Sequence, residues 1–224
     1  MGKLIVIEGL DGSGKSTQEI LLREKLAKKG IEVNCIKLPN YDDEACALVK
    51  MYLAGRFGSN PSDVNAYAAS SFFAVDRYVS YNCYWKEKYL AGEIFLADRY
   101  TTSNAYHQLT KTPESEWDSY LEWLEDFEYV KLGIPKPDAV IYLDMPIDVS
   151  QKLMSGRYKG DESKKDIHEK DVDYLNSCRR AADYSCRKLG WTRIVCAENG
   201  EPLPIEIIAE KVYEAVSAAI GIDL

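Results

Sequence analysis

Residues 9–16 have the sequence GLDGSGKS, which fits the pattern G-x-x-x-x-G-K-[ST] at every fixed position. A short apolar run at residues 4–7 precedes it, and a stretch suited to a helix follows it. This order predicts a buried strand, a tight loop and a helix whose N-terminal amides converge on phosphate oxygens. The segment therefore predicts a binding site for the phosphate groups of a nucleotide.

The residues of this loop have separate tasks. Glycine has no Cβ, so the glycines allow backbone N–H groups to approach a phosphate group without a clash. Lys15 is expected to reach the β- and γ-phosphates, and the hydroxyl group of Ser16 is expected to ligate Mg²⁺. The residues predicted to bind ATP are Gly9, Gly12, Ser13, Gly14, Lys15, Ser16 and Thr17.

Short apolar runs alternate with longer amphipathic segments along the rest of the chain. Strands are predicted at residues 4–7, 32–36, 94–97, 139–143 and 192–196, and helices at residues 16–29, 61–90, 114–130, 147–155, 167–189 and 205–219. Right-handed crossovers between parallel strands place such helices on both faces of a sheet. We expect the α/β P-loop NTPase fold with a five-stranded parallel sheet, formed by residues 1–224 as one domain with a small lid at 156–166.

Composition argues against several other classes of protein. The net charge of −8 argues against a nucleic-acid binder, which usually carries a basic surplus. None of the six cysteines forms a C-x-x-C pair, so a zinc ribbon has no support. No apolar stretch approaches the roughly 18 residues that a membrane span needs. We therefore expect a cytoplasmic protein with free thiols that binds neither nucleic acid nor membranes.

Four stretches of the chain resemble thymidylate kinases, a family of nucleoside monophosphate kinases, and the resemblance covers nearly the whole chain. They are GLDGSGKST at 9–17, F-x-x-D-R at 73–77, DRYTTSN at 98–104 and PDAVIYLD at 137–144. The resemblance implies that ATP and Mg²⁺ are used to convert dTMP to dTDP, in dTTP synthesis. It also implies a homodimer packed through helices, and the helix predicted at 61–90 is the candidate surface.

The resemblance further implies which residues bind the acceptor nucleotide. Asp11 would hold the 3′-hydroxyl group of the sugar, and Arg99 would bind the 5′-phosphate group through its planar guanidinium. Phe73 would stack on thymine, and Arg77 would contact a carbonyl group of the base. Asn104 would pair with the base through its amide. By pattern alone, Phe73 would be a core residue and Arg77 a surface residue.

Four further residues lie near these motifs. Gln108 follows Asn104 by one helical turn and is a weaker candidate for the base. Tyr41 is a candidate contact to the sugar or the phosphate group, and Asp98 would ligate Mg²⁺ through water or orient Arg99. Many family members carry arginine where this chain has Asn40. This departure would leave Arg99 more isolated on the acceptor phosphate.

Phosphoryl transfer needs alignment and positive charge. A nucleoside monophosphate is largely dianionic at neutral pH, so it needs no general base, and neither His107 nor His168 is assigned a role. One branch of the family has arginine where this chain has Gly12, and other members supply it from the lid. We therefore expect Arg157, or else Lys159, to cover the transferred group. The predicted catalytic residues are Lys15, Arg99, Arg157 and Asp11.

Three alternatives remain open at this point. The chain could be another small kinase, and one that acts on a deoxynucleoside would need a carboxylate as base. Glu8 is the carboxylate nearest the loop, although its position suits a residue that simply ends the first strand. The chain could instead be a nucleotide-dependent switch, which would hydrolyse ATP slowly without an acceptor, or a catalytically silent binding protein.

Overall fold

The computed structural model of the chain describes the backbone of residues 1–158 and 172–221, and the side chains of residues 1–154 and 172–221. Five parallel strands form its main sheet, in the spatial order β2-β3-β1-β4-β5. They are β1 Lys3–Glu8, β2 Val33–Lys37, β3 Ile94–Asp98, β4 Ala139–Asp144 and β5 Thr192–Val195. The predicted α/β fold with a five-stranded parallel sheet is confirmed.

The described parts of the chain also contain nine α-helices and a small antiparallel hairpin. The helices are α1 Lys15–Lys28, α2 Ala47–Leu53, α3 Ala66–Ser80, α4 Lys86–Leu90, α5 Thr101–His107, α6 Trp117–Glu125, α7 Ile147–Tyr158, α8 Val172–Leu189 and α9 Ile205–Ile220. The hairpin pairs β6 Ala197–Glu198 with β7 Glu201–Pro202. No helix in the described ranges is long and apolar enough to cross a membrane.

The side chains of β1 contribute alternately to the hydrophobic cores on the two faces of the sheet. Successive side chains of a strand point to opposite faces. Ile5 and Ile7 belong to a core cluster that includes residues of α1 and α9. Leu4 and Val6 belong to a second cluster with aromatic residues of the segment 81–95. All four side chains are fully buried, as expected for a central parallel strand with helices on each face.

The helix predicted at 61–90 is not continuous. A 3₁₀ turn, Pro61–Asp63, comes first, and α3 begins only after Asn65, whose side chain caps it by accepting from the amide of Ala68. A π-helical turn, Tyr81–Trp85, then separates α3 from α4. Sequence periodicity did not indicate this turn, because its aromatic rings pack on the sheet through contacts distant in the chain.

Two short helices, α2 and α5, were not predicted. The sequence of α5 is TTSNAYH, which is rich in residues of low helix propensity. Six of its seven residues are buried, so tertiary packing stabilises the helix. At the predicted lid, α7 continues to Tyr158, three residues into the predicted loop 156–166. The rest of that loop, and the start of the helix predicted at 167–189, lie outside the described residues.

A core substitution in β4 tests the packing of the sheet. Ile141 is fully buried between two neighbouring strands, so Ile141→Ala should lower the free energy of unfolding by about 2–5 kcal/mol in urea titrations. Ile207→Ala on α9 is the control, since Ile207 is 47% exposed. Its loss should stay below about 1 kcal/mol. Equal losses for the two variants would contradict the core assignment.

Candidate active site

One cleft of about 870 Å³ lies at the carboxyl ends of the strands. Ligands in sheets of this kind bind at that edge. The cleft runs from the loop between β7 and α9, past the N-terminus of α1, to α3 and α5. Among the predicted site residues, those lining the cleft are Asp11, Gly12, Ser13, Gly14, Lys15, Ser16, Thr17, Tyr41, Phe73, Arg77, Asp98, Arg99, Asn104 and Gln108.

In the loop between β1 and α1, Gly9 and Gly12 cannot be replaced without strain, because of both their backbone angles and the lack of space for a side chain. Gly9 and Gly12 have φ angles of 151° and 79°, which L-residues rarely adopt. A Cβ at Gly9 would lie 2.5 Å from the Ser13 hydroxyl oxygen. A Cβ at Gly12 would lie 2.7 Å from the carbonyl oxygen of Ser150 in α7. The close approach of α7 therefore leaves no room for a side chain at position 12.

Lys15 lies folded over this loop. Its Nζ donates to the carbonyl oxygens of Gly9 at 2.8 Å and Leu10 at 3.2 Å, and lies 3.8 Å from Asp11 Oδ1. Burial, followed by the charge of Arg99, lowers the pKa of Lys15. A phosphate group bound in the loop would oppose both effects, because it would supply a negative charge next to the ammonium group.

The hydroxyl group of Ser16 and the carboxylate of Asp98 are adjacent. Ser16 Oγ donates to Asp98 Oδ2 at 3.3 Å. The other carboxylate oxygen, Oδ1, is buried and has no hydrogen-bond partner in the described parts of the chain. A buried carboxylate oxygen needs a partner. The pair therefore fits Mg²⁺, which binds one or two protein oxygens together with phosphate oxygens and water.

Arg99 follows β3 in the left-handed conformation, with φ of 69°. Its guanidinium donates to Asp11 Oδ1 at 2.6 Å from Nη2, while Nη1 lies 3.3 Å from Ser103 Oγ, from Tyr106 Oη and from His107 Nε2. A left-handed conformation is unusual for arginine and persists where the surroundings enforce it. The strained backbone thus directs the guanidinium into the cleft beside the phosphate loop.

The Asp11–Arg99 pair shifts both pKa values. Burial alone would raise the pKa of Asp11, but the charges of Arg99 and Lys15 outweigh burial and hold that pKa well below its ordinary value of 3.8. Burial alone would lower the pKa of Arg99, but the negative charges around it, that of Asp11 foremost, outweigh burial and raise the pKa of Arg99. Both side chains are therefore ionised at neutral pH, and the carboxylate of Asp11 lies beside the two cations Lys15 and Arg99.

Phe73 and Arg77 lie on the face of α3 that lines the cleft. Phe73 is half-buried and meets Tyr52 edge-on, with ring centroids 6.1 Å apart. Arg77 is only 3% exposed, so the surface position that pattern alone favours is wrong. Its Nε and Nη2 donate to the two carboxylate oxygens of Glu128 at 2.6 and 2.5 Å. This bidentate pair stabilises a buried charge that would otherwise be costly.

Two side-chain amides, one in α5 and one directly after it, extend the same pocket. Asn104 Nδ2 donates at 3.3 Å both to the carbonyl oxygen of Ser70 and to Glu128 Oε1. Gln108 is 1% exposed, and neither its amide nitrogen nor its amide oxygen has a partner in the described parts of the chain. Because buried amides are normally hydrogen-bonded, Gln108 is suited to a ligand in the cleft.

Tyr41 borders the cleft from the loop after β2, and 48% of it is exposed. Its neighbour Asn40 is held by its backbone, since the Asn40 amide donates to the buried carboxylate of Asp76 at 3.1 Å. Arg157 belongs to the last turn of α7, but its side chain lies outside the described residues, as does all of Lys159. Their predicted roles therefore remain predictions.

Sequence reasoning missed two site residues, His107 and Glu128. His107 lines the cleft beside Arg99, although no role was assigned to it. The signal was available, because Asn104, His107 and Gln108 share one helix face at i, i+3 and i+4. Glu128 is fully buried under Arg77 and Asn104. Nothing in the spacing of the sequence connects residue 128 with residues 77 and 104.

Glu8 is fully buried at the end of β1 and does not line the cleft. Its carboxylate accepts hydrogen bonds from the Tyr100 amide at 3.2 Å, Thr102 Oγ1 at 2.6 Å and Tyr106 Oη at 2.7 Å. The carboxylate is thus occupied by the backbone just before α5 and by side chains of α5. This geometry favours the strand-ending role over that of a base for a deoxynucleoside.

A phosphate loop at one end of the cleft, and an aromatic and amide pocket at the other, define a P-loop kinase for nucleoside monophosphates. Comparison with known proteins agrees. The family model "Thymidylate kinase" matches residues 7–206. The chain therefore belongs to the thymidylate kinase family, as the four motifs predicted.

Several curated relatives carry the same name. A thymidylate kinase of Mycobacterium tuberculosis is 29% identical over 182 residues, which cover 76% of this chain and 79% of the relative. A probable thymidylate kinase of Thermococcus gammatolerans is 33% identical, with coverage of 70% and 72%. A thymidylate kinase of Glaesserella parasuis is 27% identical over 222 residues, with coverage of 98% and 93%. The similarity thus extends over most of each chain.

The depressed pKa of Asp11 makes a prediction about stability. A carboxylate whose pKa is lowered on folding stabilises the folded state above its unfolded pKa, near 3.8, and loses that contribution as the pH falls further. The stability difference between wild type and Asp11→Asn should therefore shrink as the pH falls from 7 towards 2. Urea titrations across this range measure it. The exposed Asp42→Asn serves as control, and a difference for Asp11→Asn that is constant with pH would contradict the ion pair.

Proposed function

We propose that this protein transfers the γ-phosphoryl group of ATP to dTMP, with Mg²⁺, and releases dTDP and ADP. The observation that carries this proposal is one continuous cleft that joins the phosphate loop to a pocket formed by Phe73, Arg77, Asn104 and Gln108. Arg99 and Asp11 lie between the two ends. The cleft can therefore bring a donor triphosphate and an acceptor monophosphate together.

At the donor end, the loop amides, Lys15 and Thr17 would bind the phosphate groups of ATP. Ser16 and Asp98 would hold Mg²⁺. The Oδ1 atom of Asp98 has no hydrogen-bond partner among the described residues, which supports that assignment. When bound, the metal ion neutralises charge on the β- and γ-phosphate oxygens. These residues fix the position of the group that is transferred.

At the acceptor end, Phe73 offers a ring face to a pyrimidine, and the amides of Asn104 and Gln108 offer hydrogen bonds to it. Asp11 would accept from the 3′-hydroxyl group of the sugar, while Tyr41 borders the path to the sugar and phosphate. Arg99 would bind the 5′-phosphate group, because a guanidinium donates to two phosphate oxygens at once. Together these contacts favour a deoxythymidine monophosphate.

The transfer step needs no proton acceptor. An oxygen of the dianionic acceptor phosphate attacks the γ-phosphorus atom, and the bond from that atom to the β–γ bridging oxygen breaks, so ADP leaves. Lys15 and Arg99 supply fixed positive charge next to the reacting groups, which costs no reorganisation during the step. Arg157 is proposed to add a third cation from the end of α7.

Three further points concern the protein as a whole. We propose a homodimer that packs through α3, supported by the exposed apolar side chains Tyr67, Val75 and Tyr78 on that helix. A cytoplasmic location and a single domain over residues 1–224 remain predictions. None of the three is required for the chemistry of the cleft.

An acceptor panel tests the proposed reaction. ADP release is measured with ATP and Mg²⁺ and with dTMP, dUMP, dCMP, dGMP, AMP or no acceptor. We expect strong turnover with dTMP, weaker turnover with dUMP and little with the others, because the pocket suits a pyrimidine that carries a carbonyl group at C4. Slow ADP release that is independent of any acceptor would overturn the kinase assignment and favour a nucleotide-dependent switch.

Substitution of Arg157 tests whether this residue supplies the positive charge that other family members supply by an arginine at the position of Gly12. Arg157→Ala should lower kcat more than it raises either KM, by about 10- to 1,000-fold if the side chain stabilises charge in the transition state. Lys152→Ala is the matched control, since Lys152 is an exposed cation on the same helix and does not line the cleft. An unchanged kcat for Arg157→Ala would remove this residue from the mechanism.

A further inference from the structure

Glu128 joins Arg77 and Asn104, two of the residues predicted to recognise the base. It belongs to a π-helical turn, Asp126–Lys131, that follows α6, and its carboxylate is fully buried. The carboxylate accepts from Arg77 Nε and Nη2 at 2.6 and 2.5 Å, from Thr101 Oγ1 at 2.8 Å and from Asn104 Nδ2 at 3.3 Å. Glu128 itself does not line the cleft, so any effect on a ligand acts through these neighbours.

The contact with Glu128 determines which way the Asn104 amide faces. Nδ2 has two hydrogens, and its two acceptors are Glu128 Oε1 and the carbonyl oxygen of Ser70. An ionised carboxylate and a backbone carbonyl can only accept, so the reverse amide orientation would place oxygen against oxygen. With both hydrogens engaged by protein, Asn104 can offer a ligand in the cleft only its Oδ1 acceptor.

Arg77 complements Asn104 with the opposite polarity. A guanidinium has five N–H donors. Three take part in described hydrogen bonds, two to Glu128 and one at 3.4 Å to the Tyr100 carbonyl oxygen. One hydrogen on Nη1 and one on Nη2 remain available on the side chain that lines the cleft. The pocket therefore presents a fixed acceptor from Asn104 and fixed donors from Arg77.

This arrangement distinguishes two classes of pyrimidine, those with a carbonyl group at C4 and those with an amino group at C4. Thymine and uracil carry N3–H, a donor, next to O4, an acceptor, and so match Asn104 and Arg77. Cytosine carries an acceptor at N3 next to a donating amino group at C4, and so opposes both. A buried polar group that meets a like partner loses its hydrogen bond and is not solvated by water.

We propose that Glu128 is a positioning residue that makes the site selective for 4-oxo over 4-amino pyrimidine nucleoside monophosphates, by fixing the orientation of Asn104 and Arg77. This inference rests on the proposed function. Glu128 contributes no contact to the nucleotide. Its carboxylate is needed because only a group with two acceptor oxygens and no donor can hold Arg77 and Asn104 together.

Two substitutions test the proposal. Glu128→Gln keeps the size of the side chain but replaces one acceptor oxygen by a donor, which releases the Asn104 amide from its single orientation. Glu128→Asp keeps the charge next to Arg77 and withdraws the carboxylate by one methylene group, so the 3.3 Å contact with Asn104 is the first to be lost. Glu125→Gln is the matched control, because Glu125 pairs with Lys136 at 2.7 Å and does not line the cleft.

The measurement is kcat/KM for dTMP and for dCMP at saturating ATP, together with KM for ATP. Thermal melting shows whether each variant is folded. For both Glu128 variants we expect the dTMP-to-dCMP ratio of kcat/KM to fall by about 10- to 100-fold, as for the loss of one oriented hydrogen bond in a buried site. KM for ATP should not change, and Glu125→Gln should retain the wild-type ratio.

The outcomes separate this proposal from the proposed function. A wild-type enzyme that does not prefer dTMP would overturn the proposed function itself. A selective wild type whose Glu128 variants lose activity equally with both acceptors would show a structural role alone and would overturn the inference. Failure of both Glu128 variants to fold would do the same.

Discussion

The parallel pairing of β1 with β3 is the constraint on which the site depends. Its register sets Ile7 opposite Asp98, so the phosphate loop and the segment that starts with Arg99 leave the sheet side by side. The buried carboxylate of Glu8 then holds the end of β1 to the first turn of α5. With that junction fixed, one ion pair between Arg99 and Asp11, at 2.6 Å, connects the two loops across the cleft.

Paired charge is the second organising element, and two ion pairs of the site illustrate it. Arg99 is paired with Asp11 next to the phosphate loop, and Arg77 is paired with Glu128 beneath the base pocket. The Arg77–Glu128 pair is buried, so removing one partner should cost about 3–5 kcal/mol, because the remaining charge is left without compensation. The Arg99–Asp11 pair is only partly buried. The pairs therefore hold cationic groups in place before a nucleotide arrives, and preorganised charge of this kind is what phosphoryl transfer requires.

The sequence predicted the parts of the site that depend on local spacing. The loop at 9–16 and the strand end at Asp98 could be located because buried strands and tight turns have short-range signatures. The helix α5 was missed, since its residues have low helix propensity and its stability comes from burial. The partner of Arg77 was missed for a related reason, because Glu128 lies 51 residues away and the contact depends on how α3 packs near the π-helical turn.

The amino-acid sequence was sufficient for the fold class, for the phosphate loop and for the family, because these follow from patterns over a few neighbouring residues. It was not sufficient for the direction of the Asn104 amide, the burial of Arg77 or the presence of His107 in the cleft. Each of these depends on contacts between segments far apart in the chain, and only packing brings the segments together. Side-chain orientation is determined by the partners available in space, and the sequence lists residues without stating which become partners.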